Sequence, residues 1–496
     1  MDPAARRCYG QLVPDDLSRR AFLQRSGLAA LGATGVYSLL EEIAAAPARA
    51  ATAAGALPPE QHLMQGLRVI VDNDVQVLIP PLHHQVVTAK LRVGRSKAAL
   101  RDAQRSLEAA LRAVERRYAP TPAGLGVVAA WGTPYFRTYL PALGGRRYPD
   151  YLPVDPGASK TAGQAVSAFE DVTPFPSDPA ELLLEQNDVS FIFQSDSLER
   201  IAAGADAIFK PLAGMFSLTS VRKGFVGGGF EGSVSLPKQM AMRAGVPGAE
   251  LIPERAQLFL GFTSTQKNSL GPDRIANLET LPGLTDQWPN GYFRNGTTMH
   301  LSHLYENIDE WYRTNDFTQR VWLATDASRA ANNVGEGTLT LPEGPADVQS
   351  EALVEQFAPN AVSGLVGHSA SLQPVNRLPA ALRDNYGTLR PAGTSILQRV
   401  DFNTLDNPFF WTAKPRVDRH SSSPALGLHF LAFAPSSDFF RRLRLAMDGR
   451  YADGVTLPLA PQSLRLGMNG VIRSTHRQNF LVPPRRHRSF PLAELL

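Results

Sequence analysis

Two short stretches of the chain carry side chains able to move protons or hold an ion. In "MHLSH", Met299 to His303, an extended backbone sends alternate side chains to opposite faces, so His300 and Ser302 share one face and His303 takes the other. An imidazole titrates near neutral pH and serves as base, proton shuttle or metal ligand. A serine hydroxyl orients water and donates or accepts hydrogen bonds, but carries no charge and no acid or base state near neutrality. In "GFTSTQ", Gly261 to Gln266, Gly261 and Phe262 close the apolar run LFL as a strand end, and a cluster of hydroxyls including Ser264 follows with no acid among them. A further imidazole, His368, stands in "GHSASLQP", Gly367 to Pro374.

Other candidates reduce to ordinary roles. "GFVGGGFEG", Gly224 to Gly232, follows a strand without opening a helix or supplying a Lys-Ser/Thr pair, so it reads as a turn rather than a phosphate cradle. The serines lack the G-x-S-x-G elbow of a hydrolase. His83 and His84 begin a strand with no carboxylates at metal-ligand spacing. Glu306 and Asp309, entering the next helix, and "PPRRHR", Pro483 to Arg488, read as solvated.

The elements that position these residues follow an alternating theme. Val75 to Ile79 and Gln85 to Val93 read as strands. Arg95 to Tyr118 carries Leu100, Ala103, Leu107, Leu111, Val114 and Tyr118 at spacings of three and four, which predicts an amphipathic helix. Gly124 to Trp131 and Val189 to Gln194 are apolar strands, Ser197 caps a helix, and Met215 to Phe225 returns as a strand. Strand, helix, strand, taken twice, is the ferredoxin-like arrangement. The second half repeats it through Thr297 to Tyr305, a helix near Ile308 to Trp311, Gly427 to Ala434, and a helix from Ser436 to about Met447. Long loops rich in Gly, Pro and Asn lie between, notably Ser264 to Gly296 and Pro359 to Thr394. The expected fold is α+β: two ferredoxin-like halves, 75–245 and 246–496, whose antiparallel sheets face each other around a pocket in the manner of a dimeric α+β barrel.

With 496 residues and a net charge of +4 spread among interspersed acids and bases, the chain has no polybasic face for a phosphate backbone, and nucleic acid is excluded as a partner. The N-terminus has the form of an export leader. Ser18-Arg19-Arg20-Ala21-Phe22-Leu23 is a twin-arginine pattern, followed by an apolar stretch from Gly27 to Leu40 and an A-x-A site at Ala48-Arg49-Ala50. Residues 1–50 therefore read as a removable signal and 51–74 as a linker, with the twin-arginine translocase as partner and a periplasmic or extracellular destination. The apolar stretch falls short of the roughly 20 residues a stable membrane anchor needs. Cleavage removes Cys8, the sole cysteine, and with it any thiolate ligand or iron-sulfur cluster.

Taken in order, several segments resemble the dye-decolorising peroxidase family. "GLGVVAAWGTPYF" is similar to its first-half strand and turn, "LERIAAGADAIFKPLAGMFSLTSVRKGF" to the helix and strand before its signature, and "LFLGF" to the opening of that signature, Gly-Phe-x-Asp-Gly. "GTTMHLSHLYENIDEWYR" is similar to the strand and helix bearing the distal arginine, and "GHSASLQP" to the segment of the haem-ligating histidine. "ILQRVDF" and "NFLVPPR" resemble two later segments.

The resemblance implies haem b as cofactor, with His368 as axial iron ligand, Arg399 paired to a propionate, and Gly261 and Phe262 beside the cofactor. It also aligns Ser264 with the signature aspartate and Ser302 with the distal arginine, so both charged distal groups are replaced; Ala370 and Gln373 depart from the family pattern after the ligand. Peroxide cleavage needs a proton carrier and a cation for the leaving oxygen, and His300 is the substitute within reach, as shuttle or as a second iron ligand. Three readings stay open. The first is an exported haem oxidoreductase using hydrogen peroxide on a small organic substrate through a non-standard distal pocket. The second is a haem protein without peroxidase chemistry (carrier, sensor or Lewis-acid iron enzyme), and the third a cofactor-free ligand-binding relic. A homo-oligomer is compatible with each.

Overall fold

The computed structural model describes residues 56–72, 75–229, 233–261, 270, 275–316, 320, 378–392, 394–407, 424–450, 456 and 468–496, together with 37, 39, 40, 43 and 44. The first half has strands β1 (His83–Leu91), β2 (Gly126–Trp131), β3 (Val189–Ser195) and β4 (Phe216–Phe225), with helices α1 (Lys97–Arg117) and α2 (Leu198–Phe209). The second has β5 (Thr297–Glu306), β6 (Phe402–Thr404), β7 (Gly427–Ala434) and β8 (Ile472–Val482), with α3 (Ile308–Thr314) and α4 (Asp438–Met447). Each half is βαββαβ, and the halves have the matching lateral orders β4-β1-β3-β2 and β8-β5-β7-β6.

The helices form where their sequences cap and bury them. The Ser96 side chain accepts from the Ala99 N–H and the Ser197 side chain from the Arg200 N–H, each satisfying an orphan donor of a first turn. Leu100, Ala103, Leu107, Leu111 and Val114 of α1 are all buried, against Phe191 and Phe193 of β3 and Ala129 and Trp131 of β2. The basic tail expected to be solvated is instead an anchor. Glu108 and Glu115 stand two turns apart on α1; Arg488, 3 % exposed, pairs with both, and Arg485 reaches Glu115 at 2.5 Å.

The two half-sheets meet edge to edge. Leu481 of β8 pairs with Trp131 of β2, and Asn403 of β6 pairs with Phe225 of β4, closing an eight-stranded antiparallel ring. The fold class is as expected, but the space between the facing sheets is a packed core, filled by Val86, Val128, Ile192, Leu301, Phe402, Leu431 and Phe480 among others. At the β4/β6 seam Gly224 leaves room for Phe402: a Cβ there would sit 2.3 Å from the Phe402 ring and 2.4 Å from the Asn403 carbonyl oxygen. Gly224→Ala is therefore expected to destabilise the fold by about 1–3 kcal/mol. The urea midpoint measures this, and an unchanged midpoint contradicts the packing argument.

The ring interior also holds His303, 4.3 Å from His429 and 6.3 Å from His476 between ring centroids. Burial, then the neighbouring imidazoles and the charge of Arg222, pushes His303 and His429 well below the usual imidazole range, so both are neutral in the fold. The unfolded chain protonates such rings below about pH 6.5. Their contribution is thus complete above that pH and lost below it, at about 1.4 kcal/mol per pH unit for each ring. His429→Phe is expected to flatten the dependence of unfolding free energy on pH between about 6.5 and 5 by that amount. Urea titrations at the two pH values check it.

Candidate functional site

The outer face of the second half-sheet holds the candidate groups His300 and Ser302. His300 of β5 lies opposite Asn479 of β8, and Ser302 lies opposite Arg477. As the alternation predicts, His300 and Ser302 share this face while His303 faces the ring interior. The Asn479 Nδ2 donates to the Glu170 carbonyl at 2.9 Å, which turns Oδ1 toward His300. His300 Nδ1 then donates to Oδ1 at 2.8 Å, leaving Nε2 as the acceptor for the Ser302 hydroxyl at 2.6 Å. This hydrogen-bond network fixes the tautomer. Burial, followed by the charge of Arg477, holds His300 well below the ordinary imidazole pKa. At neutral pH it is an oriented, uncharged base.

Beside it stands a cation that sequence alignment did not reveal. Arg477, fully buried, donates to both Asp178 oxygens at 2.7 and 2.8 Å and to Ser474 Oγ at 2.9 Å, while its Nε has no hydrogen-bond partner. Arg444 of α4 reaches the same carboxylate at 3.2 Å. Burial favours the neutral acid, but the two guanidinium groups outweigh it and keep Asp178 below the usual carboxylate range. The charge missing at Ser302 is thus present one strand away. The polar alternation Thr475, Arg477, Asn479 in β8 was the available signal, but its pairing with β5 spans 179 residues for the His300 to Asn479 contact.

Aromatic rings wall the site. Phe440 of α4 stacks on His300 with centroids 3.3 Å apart, Phe430 of β7 lies 6.1 Å away, and Arg477 sits over Phe175 at 4.8 Å. Arg399, half-buried, pairs with Ala432, which is also the partner of His300; all three therefore share one row and one face across the sheet.

Other expected residues fall elsewhere. The run before Gly261 is a turn, not a strand end. The Gly261 N–H bonds to the Leu258 carbonyl at 2.9 Å, its φ is +91°, and Trp311 and Tyr312 of α3 donate to the carbonyls of Leu260 and Phe259. Phe262, Ser264 and His368 lie outside the described residues. Glu306 is not solvated: it is 2 % exposed, and burial, then Asp401, raises its pKa to about 8. Asp309 does remain at the surface, paired with Arg313 at 2.6 Å. Among the described residues no group of three or more His, Cys, Asp or Glu converges to hold a metal ion, and no helix is long and apolar enough to cross a membrane.

A family model described as "Family of unknown function (DUF7405)" matches residues 81–484, which takes in both halves of the ring. The chain belongs to this family. No curated protein matches the DUF7405 chain. Among solved structures it is similar to the encapsulated DyP-type peroxidase from Mycobacterium smegmatis, at 12 % identity over 83 % of this chain and 96 % of that one, with a TM-score of 0.46. It is also similar to DyPB from Rhodococcus jostii RHA1, at 14 % identity over 83 % and 95 % of the two chains, TM-score 0.45. A dye-decolorizing protein from V. cholerae gives 12 % identity over 83 % and 96 %, TM-score 0.41.

The donor set suits a haem reaction on its proton-handling side. It offers a neutral base with a defined lone pair, a hydroxyl on that lone pair, a fixed cation with an orphaned N–H, and flanking rings. Both ring nitrogens of His300 are engaged, Nδ1 with Asn479 and Nε2 with Ser302.

Proposed function

We propose that this DUF7405 protein is a haem-dependent oxidoreductase of the peroxidase type, exported by the twin-arginine route and acting on a small organic substrate. The observation that carries the reading is the set of His300, Ser302 and Asn479 with Arg477 beside it. His368 is the residue to hold the iron and Arg399 the residue to meet a propionate. Bound haem supplies the oxidising equivalents drawn from peroxide. The chain's own groups manage protons: His300 Nε2 takes a proton through the Ser302 hydroxyl, Asn479 keeps Nδ1 as the protonated nitrogen, and Arg477 supplies fixed positive charge.

Hemin titration of the purified protein, followed by absorbance and then by peroxide-dependent oxidation of a dye, tests this. Stoichiometric appearance of a Soret band, lost in His368→Ala, together with dye turnover is the expected result. A chain that takes up no hemin overturns the proposal.

A further inference from the structure

At the β4/β6 seam the N-terminal segment is held by the folded body through Tyr37 and Leu40, with Ile43 and Ala44 packed against the same cluster. Residues 37, 39, 40, 43 and 44 are helical, and Tyr37, 2 % exposed, is seated among Phe225, Leu236, Met240, Ile252 and Leu405. Its hydroxyl accepts from the Leu405 N–H at 3.0 Å. It lies 3.2 Å from Asp406 Oδ1, 3.3 Å from the Lys223 carbonyl oxygen and 3.4 Å from Thr404 Oγ1. A phenol has one proton to give, so the socket offers more acceptors than the hydroxyl can serve at once. Asp406 is placed independently of the tyrosine: its Oδ2 accepts from the Lys223 N–H at 2.5 Å and its own N–H donates to Thr404 Oγ1 at 3.0 Å. The ring of Phe225 meets Tyr37 edge-on at 6.3 Å.

The body thus presents a pre-built cradle for a hydroxylated ring, and the ring now in it lies in the stretch read as a removable leader. Withdrawal of residues 1–50 leaves the Leu405 N–H and the Asp406 oxygen facing an apolar hollow, a costly arrangement unless a new hydroxyl satisfies them. We propose that the Tyr37 socket is a binding site for a small monocyclic phenol, plugged by the chain's own N-terminal segment until that segment is removed. The proposal concerns binding, lies apart from the His300 face, and does not rest on haem.

p-Cresol, with toluene as the control lacking a hydroxyl, tests it by thermal unfolding and calorimetry. The full chain should bind neither. Full-length Tyr37→Gly should be stabilised by p-cresol and should prefer it to toluene by about 10- to 100-fold, the discrimination expected when buried polar groups are left unpaired by the wrong ligand. Protein recovered after export, with its N-terminus fixed by mass spectrometry, should bind p-cresol without any substitution; it carries the test by itself should Tyr37→Gly fail to fold. Equal affinity for the two compounds, absence of p-cresol binding by the folded variant or the processed chain, or retention of Tyr37 after export each overturns the proposal. Loss of hemin binding alone leaves it standing, so the two proposals fail separately.

Discussion

Replacement of His300 by glutamine is expected to lower peroxide-dependent turnover of the hemin-loaded protein by about 10²- to 10⁴-fold, the usual worth of a positioned proton carrier. Glutamine retains hydrogen-bonding groups and much of the volume against Phe440, but supplies no nitrogen that takes up a proton. The companion change Asn479→Leu removes the acceptor that holds the Nδ1 proton in place. The ring then exchanges tautomers, and part of the population presents an N–H where the Ser302 hydroxyl now donates. Because burial and Arg477 hold His300 well below the ordinary imidazole range, the acid limb of the wild-type pH-rate profile should lie below about pH 6.5. Stopped-flow peroxide consumption across pH measures both effects. A His300→Gln protein with unchanged rate and profile assigns the proton work to another group, while a merely structural role would leave the shape of the profile intact.

Asp178→Ala should be the most destabilising single change near the site, at about 3–5 kcal/mol, since it leaves Arg477 charged and wholly buried without its bidentate partner. Asp178 also receives Arg444 at 3.2 Å, but Arg444 keeps Asp448 at 3.9 Å and the Ser177 hydroxyl at 3.0 Å, so the loss falls on Arg477. Arg477→Met should cost less, because Arg444 remains on the carboxylate and the apolar chain can lie against Phe175 and Phe440. Urea unfolding of the two single variants and the double variant gives the coupling between them. If the effects of the two single changes simply add in the double variant, the pair is not the unit described above.

Much of this architecture was legible because it is local. The buried stripe of α1, the Ser197 cap and the limits of β7 at Gly427 and Ala434 follow from periodicity and capping within a few turns of chain. The assignment of His300 and Ser302 to one face needed only the alternation of a strand. What escaped depends on partners distant in sequence. Arg477 and Asn479 gain their meaning from pairing of β8 with β5, Asp178 comes from a loop 299 residues before Arg477, and nothing in PPRRHR signals that Glu108 and Glu115 await it. Composition also misleads for Glu306, since a carboxyl at a strand end is usually solvated and this one is buried near Asp401. The run before Gly261 was misread because an apolar triplet has no period long enough to separate a strand from a pinned turn.

Because both halves share one strand order and meet through equivalent edges, the ring has no obligatory starting point. The chain leaves β8 beside the segment that leads into β1, where the Arg485 N–H bonds to the Pro59 carbonyl at 2.9 Å and the Gln61 amide reaches the Pro483 carbonyl at 2.5 Å. A circular permutant opened between β4 and β5, with a bridge joining the segment after β8 to the segment before β1, would close the same circle of strands. Two molecules could likewise complete it by exchanging halves, a route to dimers that leaves every strand pairing unchanged.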